Sequence, residues 1–219
     1  MSGREQIVSQ LVDAGLVAIV RVSRPELALP LAGALVAGGI RAVELTMSIP
    51  NALDAIRTVN RELGNDILLG VGTVTDDDTC RAAIDAGARY VISPITRPSL
   101  VAAAHALDRP VMLGAYTPTE AQAAHEAGSD FVKIFPADTL GPSYIKALLA
   151  PLPHLRIVPT GGVNLDTMEA FLAAGSAALG VGSALLKKEL VAGENWVELE
   201  RLAKRFADRL AELKAAPGQ

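Results

Sequence analysis

The chain has 219 residues, half of them hydrophobic but only 4% aromatic, with one cysteine and a net charge of −4. That length suits one or two domains and buries a core without staples, and a lone thiol, Cys80, excludes an internal disulfide framework and a cysteine-based zinc site. The mild acidic excess argues against a nucleic-acid or anionic-membrane partner. The uncharged stretch 27–40 contains Pro30 and several glycines and falls short of the ~20 residues a membrane span needs. The N-terminal MSGREQIVSQLVDAG has no long apolar signal core and reads as a helix, so a cytoplasmic protein is expected.

After this helix, short apolar runs alternate with Ala- and Leu-rich segments of helical length. In chain order the strand candidates are VAIVRV (17–22), AVELTM (42–47), ILLGVGTV (67–74) and YVISP (90–94), then VMLGAYT (111–117), FVKIFPA (131–137), RIVPTGGV (156–163) and ALGVGSALL (178–186). Ala-Gly pairs at 14–15, 37–38, 86–87, 127–128 and 174–175 close helix-like segments, where glycine adopts the positive φ of a helix end cheaply. Prolines at 25, 50, 98, 118 and 142 open others. An amphipathic helix follows from Asn195, and disorder is expected only around 215–219. Eight strand–helix units predict one α/β domain over 1–219, a (β/α)₈ TIM barrel with an N-terminal helix. The rival is an open doubly wound sheet. It would usually carry a Gly-rich dinucleotide turn after its first strand, and VAIVRVSRPEL has none.

Barrel strands are apolar on both faces, so charges inside them are costly and informative. Of six lysines only Lys133 falls inside a predicted strand, and of 24 carboxylates only Glu44 does. Arg21 sits near the end of the first strand. All three lie toward the C-terminal strand ends, the catalytic face of such barrels. Two readings of Lys133 and Glu44 stand. They could form a buried ion pair that closes the barrel, although such pairs add little stability. Alternatively Lys133, flanked by Phe131, Val132, Ile134 and Phe135, is taken out of water, which favours a neutral amine able to attack a carbonyl and form a Schiff base. Glu44 would then move protons. Arg21 could bind a substrate carboxylate or form a rim salt bridge.

The seventh and eighth strands end in Pro159-Thr160-Gly161-Gly162-Val163 and Gly180-Val181-Gly182-Ser183-Ala184. In barrels these two loops commonly cradle a phosphate on backbone N–H groups, and Ser183 could add a hydroxyl donor; tight strand–helix packing is the other explanation. Gly70-Val71-Gly72-Thr73 stops short of GxGxxG, and no GxxxxGK[ST] occurs. His105, His125 and His154 lack ligand spacing, which disfavours a metal. Asp76, Asp77 and Asp78 read as a helix N-terminus. Cys80 reads as a packed side chain, and Tyr116 either lines the pocket or packs.

The stretches VAIVR, AVELTMSIPNA, GVGTV, VISP, FVKIFPA, GPSYIKAL, VPTGGVNLD and GVGSALL, from about Val17 to Lys187, resemble the 2-keto-3-deoxy-6-phosphogluconate / 4-hydroxy-2-oxoglutarate aldolases, a class I family of (β/α)₈ fold. The resemblance implies Lys133 as the Schiff-base lysine and Glu44 as the acid/base. It places Arg21, Thr73 and Phe135 around the pyruvyl part of the substrate, and Thr160, Gly161, Gly162, Gly182 and Ser183 near its phosphate. It also implies a homotrimer, a phosphorylated 2-keto acid substrate, no metal and no other cofactor. Two positions depart from the pattern. Ser48 stands where some members carry arginine, and Leu113-Gly114 stands where the fifth-strand turn often reads Pro-Gly. Both are expected near the pocket. The gluconate and galactonate aldolases differ at a sugar centre that these residues leave undecided. Another phosphate-binding barrel enzyme, such as an epimerase, would not need Lys133; a silent barrel would need neither Lys133 nor Glu44.

Overall fold

A computed structural model describes residues 2–215, in which eight strands and ten helices alternate along the chain. The first half runs α1 (Gly3–Ala14), β1 (Leu16–Val20), a 3-10 turn (Pro25–Leu27), α2 (Ala28–Ala37), β2 (Ala42–Thr46), α3 (Ala52–Leu63), β3 (Leu68–Gly72), α4 (Asp77–Asp85) and β4 (Tyr90–Ile92). The second half runs α5 (Ser99–His105), β5 (Val111–Ala115), α6 (Pro118–Glu126), β6 (Phe131–Ile134), α7 (Gly141–Leu149), β7 (Ile157–Pro159), α8 (Met168–Ala173), β8 (Leu179–Val181), α9 (Lys188–Ala192) and α10 (Trp196–Ala215). All strand pairs are parallel, in the order β7-β6-β5-β4-β3-β2-β1-β8. The seam between β7 and β8 is drawn together by a bridge between Thr160 and Gly180 and by the Ala177 N–H, which donates to Ile157 O at 2.8 Å. The sheet is a nearly closed barrel, and the doubly wound alternative falls.

Alternation along each strand separates two apolar layers. Outward residues such as Val43, Leu69, Leu113 and Ile134 pack beneath the helices. Inward residues from the N-terminal half of the barrel (Val17, Leu68, Tyr90, Met112, Phe131 and Val158 among them) form a separate floor, plugged from below by Ile7 and Leu11 of α1. A capping box fixes that plug. Ser2 Oγ accepts from the Glu5 N–H, and Glu5 returns a bond to the Ser2 N–H at 2.8 Å.

The strands stop earlier than the sequence pattern suggests. β6 ends at Ile134, just before Pro136, which cannot donate to a ladder, and β8 ends at Val181 because the N–H groups of Leu185 and Leu186 turn back to Gly182 O. Arg21 and Phe135 therefore lie one residue beyond their strands, not within them. The Ala-Gly pairs do terminate helices, with Gly15, Gly87, Gly128 and Gly175 at positive φ, but at the second pair it is Gly39 (φ 93°) and not Gly38 (φ −78°) that turns the chain. The short α9 was not anticipated. Ala215 is the last residue of α10, and the expected disorder at 216–219 lies outside the described residues.

Candidate active site

Above the floor, the inward positions turn polar. β2 contributes Glu44 and β6 contributes Lys133, only 1% and 6% exposed, with Oε2 and Nζ 3.9 Å apart. Alternation puts Phe131 and Phe135 on the same side as Lys133, whose Nζ lies 5.4 Å from the centre of the Phe135 ring. Val132 and Ile134 point the other way, into the outer layer. Of its four sequence neighbours, Phe131 and Phe135 help to take the lysine out of water, together with the rest of the barrel wall and floor, and Val132 and Ile134 do not.

An ion pair kept for stability would be short and its remaining lone pairs satisfied. Here neither Glu44 oxygen has a hydrogen-bond partner among the described residues. Burial raises the Glu44 carboxyl above its ordinary 4.5, against the opposing pull of Lys133 and Arg21. The carboxyl has room because β3 passes it with glycines. A side chain at Gly72 would overlap Glu44 Oε1, and one at Gly70 would overlap the ring of Tyr90. Sequence reading dismissed this pair as an incomplete nucleotide motif; its place opposite Glu44 in a strand was the available signal. Tyr90 was also missed. It is fully buried, its hydroxyl has no partner among the described residues, and burial together with the charge of Glu44 holds it well above its ordinary 10.

At the strand ends a cavity of about 360 Å³ gathers Arg21, Phe135, Thr160, Gly161, Gly162, Gly182 and Ser183, together with Ile19 and Gly180. Both glycine-rich loops converge there. Gly161 and Gly162 have φ of 98° and 72°, the left-handed region that favours glycine, and the backbone N–H groups of Gly162 and Ser183 find no acceptor among the described residues. Arg21 is exposed and forms no ion pair among the described residues, which removes the rim-salt-bridge reading. Thr73 is not part of the cavity lining; it sits at the end of β3, next to the glycine under Glu44, and holds φ at 62°, a strained value for a β-branched residue. A second cavity of about 470 Å³, at the opposite end of the barrel beside α1 and α10, receives none of these groups.

The remaining candidates fall into place around this site. Ser48 bonds Thr46 at 2.8 Å between their hydroxyls. Leu113 lies within β5, not in a turn, and faces the outer layer, so it cannot shape the pocket. Tyr116 is exposed on the loop after β5 and bonds Thr139 at 3.0 Å, outside the cavity. Asp76 caps α4 by accepting from the Thr79 N–H, and Cys80 is buried behind it with its thiol pushed up to about 11 by desolvation. Among the described residues no three His, Cys, Asp or Glu side chains converge to hold a metal ion.

The raised Glu44 pKa has a stability consequence. Its folded value lies above its unfolded one, so its contribution is complete below about pH 4.5 and declines as the pH rises toward the folded value. Glu44→Gln removes that dependence. The stability of Glu44→Gln relative to the parent should rise as pH is taken up from the acid side, and thermal unfolding from pH 4 to 8 checks it; a difference that shrinks with pH would contradict the assignment.

The family described as "Aldolase: KDPG and KHG aldolase" matches residues 7–202. The chain is 34% identical over 201 residues, covering 91% of each protein, to the 2-dehydro-3-deoxy-phosphogluconate aldolase of Pseudomonas aeruginosa. It is 37% identical over 180 residues (82% of this chain, 85% of the relative) to a probable 2-dehydro-3-deoxy-6-phosphogalactonate aldolase of Rhizobium meliloti. Among solved structures, the KDPG aldolase of Legionella pneumophila, with pyruvate captured as a covalent carbinolamine intermediate, matches with a TM-score of 0.83 at 29% identity, over 91% of this chain and 97% of that one. With its barrel, its interior lysine and these matches, the chain belongs to the KDPG and KHG aldolase family, whose members are carbon–carbon lyases.

Proposed function

We propose that this enzyme cleaves 2-dehydro-3-deoxy-6-phosphogluconate to pyruvate and glyceraldehyde 3-phosphate through a Schiff base on Lys133. The single observation that carries the reading is the buried pair of Lys133 and Glu44, 3.9 Å apart, with no hydrogen bond to either Glu44 oxygen among the described residues; Phe135, two residues after Lys133, lines the cavity at the strand ends. Neutral Lys133 attacks the C2 ketone, water leaves, and the protonated imine becomes the electron sink. Glu44 takes the C4 hydroxyl proton. The C3–C4 bond breaks, the aldehyde departs, and the pyruvate enamine takes a proton at C3 before water hydrolyses it from the lysine. Arg21, Thr73 and Phe135 surround the pyruvyl part. Thr160, Gly161, Gly162, Gly182 and Ser183 hold the phosphate. The same lysine chemistry serves 4-hydroxy-2-oxoglutarate, giving pyruvate and glyoxylate, and no external cofactor is needed. We further infer a cytoplasmic enzyme of the Entner–Doudoroff route. A second reading, cleavage of the galactonate epimer, is favoured by the 37% identity to the Rhizobium meliloti relative; kcat/KM on the two C4 epimers separates them.

Borohydride reduction in the presence of pyruvate should add one pyruvyl mass to the parent, on the peptide holding Lys133. Lys133→Ala and Lys133→Arg should show no adduct and almost no cleavage, because arginine stays protonated. An adduct on Lys133→Ala with ordinary turnover would reject the nucleophile.

The phosphate loops are tested by charge. Gly162 is a poor place for it, since a Cβ there would lie 2.8 Å from Asp138 Cα at a positive φ, whereas a Cβ at Gly182 meets nothing within 4 Å. Gly182→Asp should therefore fold normally and sharply lower kcat/KM for the phosphorylated substrate, with a much smaller loss on 4-hydroxy-2-oxoglutarate. Ser183→Ala should cost about 1.5–3 kcal/mol, one hydrogen bond to a charged group. Equal losses on both substrates would move the phosphate elsewhere.

Homotrimeric assembly is part of the proposal. It is supported by large apolar side chains exposed on three successive loops, Ile95 after β4, Tyr116 after β5 and Phe135 after β6. Sedimentation equilibrium should return three times the mass of one chain; a monomer at micromolar concentration would refute it.

A further inference from the structure

Strand register places Glu44, Gly70 and Tyr90 in one row across three neighbouring strands, with Glu44 opposite Gly70 and Gly70 opposite Tyr90. The middle position has no side chain. The far end of the Tyr90 ring lies over Gly70, and the Glu44 carboxyl lies over Gly72, two residues further along the same strand. Two polar groups from opposite sides thus converge over β3. Both are fully buried, and among the described residues neither the Tyr90 hydroxyl nor either Glu44 oxygen has a hydrogen-bond partner. A phenylalanine would fill the same volume without burying a hydroxyl, so packing does not account for the phenol.

The complementarity is chemical. An ionised carboxylate only accepts, whereas a phenol can donate. The two are too far apart for a direct bond, and a site with several polar partners can hold a water. We propose that Tyr90 is a positioning residue for Glu44, its hydroxyl donating through one bound water to the carboxylate and presenting the other oxygen to the substrate. The inference rests on the reading of Glu44 as the proton-transferring group. The charged groups facing Glu44 are Lys133 from β6 and Arg21 from the loop after β1. The inward positions of β3, β5, β7 and β8 carry Gly70, Gly72, Met112, Gly114, Val158, Thr160 and Gly180, none of which titrates. Among the described residues Tyr90 offers a neutral donor able to favour the ionised form from the floor side. Without it Glu44 ionises less readily, and the acid limb of the pH profile moves up.

The test compares the parent, Tyr90→Phe, Glu44→Gln and the double variant by kcat and KM from pH 5 to 9. Tyr90→Phe should lose about tenfold in kcat at neutral pH, the scale of one hydrogen bond to a charged group. Its acid limb should rise by about one unit, with KM within about twofold of the parent. Added to Glu44→Gln, which should itself fall by about 10²–10⁴, it should cost nothing more. A Tyr90→Phe profile superimposable on the parent's, or an equal loss in both backgrounds, overturns the positioning role while leaving Glu44 as the acid/base. A Glu44→Gln enzyme within about threefold of the parent overturns both.

Discussion

A sheet covered on both faces has no cheap place for charge, and this molecule puts two ionisable groups there. Lys133 and Glu44 sit 3.9 Å apart at inward positions that elsewhere in the barrel are filled by Val17, Leu68, Met112 and Phe131. Desolvation of this kind costs several kcal/mol per ion before attraction returns any of it. The surrounding fold is organised to tolerate it. The floor below is closed by Ile7 and Leu11, and the strand alongside is stripped to glycine where the carboxyl needs space. The mouth above opens to solvent past Phe135, which is 41% exposed. The outer layer between strands and helices supplies most of the apolar burial.

This division of labour separates two kinds of binding. The inner site is made of side chains whose identity is chemical: an amine, a carboxyl and a phenol. The rim is made of backbone, with Gly161 and Gly162 held at positive φ so that their loop can turn beside Asp138. Side chains at the inner site can alter the reaction; the rim is altered through loop geometry or added charge. Under the proposed reading, a substrate that bridges both places its carbonyl at Lys133 and its anionic end at the glycine loops.

Much of this was legible in the sequence because the signals were anomalies against a strong background. One lysine and one carboxylate inside apolar runs stand out, and glycine clusters after the seventh and eighth strands have a known meaning in a barrel. What was not legible depended on direction and on register. Val132 and Ile134 flank Lys133 in the chain yet face away from it, and Leu113 was read beside the pocket although it points into the helix layer. Arg21 and Phe135 read as strand residues because apolar runs continue past the last ladder bond; proline and glycine, not hydrophobicity, set where β6 and β8 stop.

Gly70 and Gly72 show the difficulty most clearly. In one dimension they are two letters of a motif that fails. In the barrel they are the absence of side chains at two successive inward positions, and their meaning belongs to Tyr90 and Glu44, residues on the two strands that flank theirs. A glycine at an inward position is therefore best read together with its register partners. When those partners are ionisable or polar, the glycine marks room made for a functional group; when they are apolar, it marks close packing. Gly180 has one partner of each kind, apolar Val17 on β1 and Thr160 across the β7–β8 seam, and a side chain there would overlap Thr160 Oγ1, so it combines close packing with room beside a polar group.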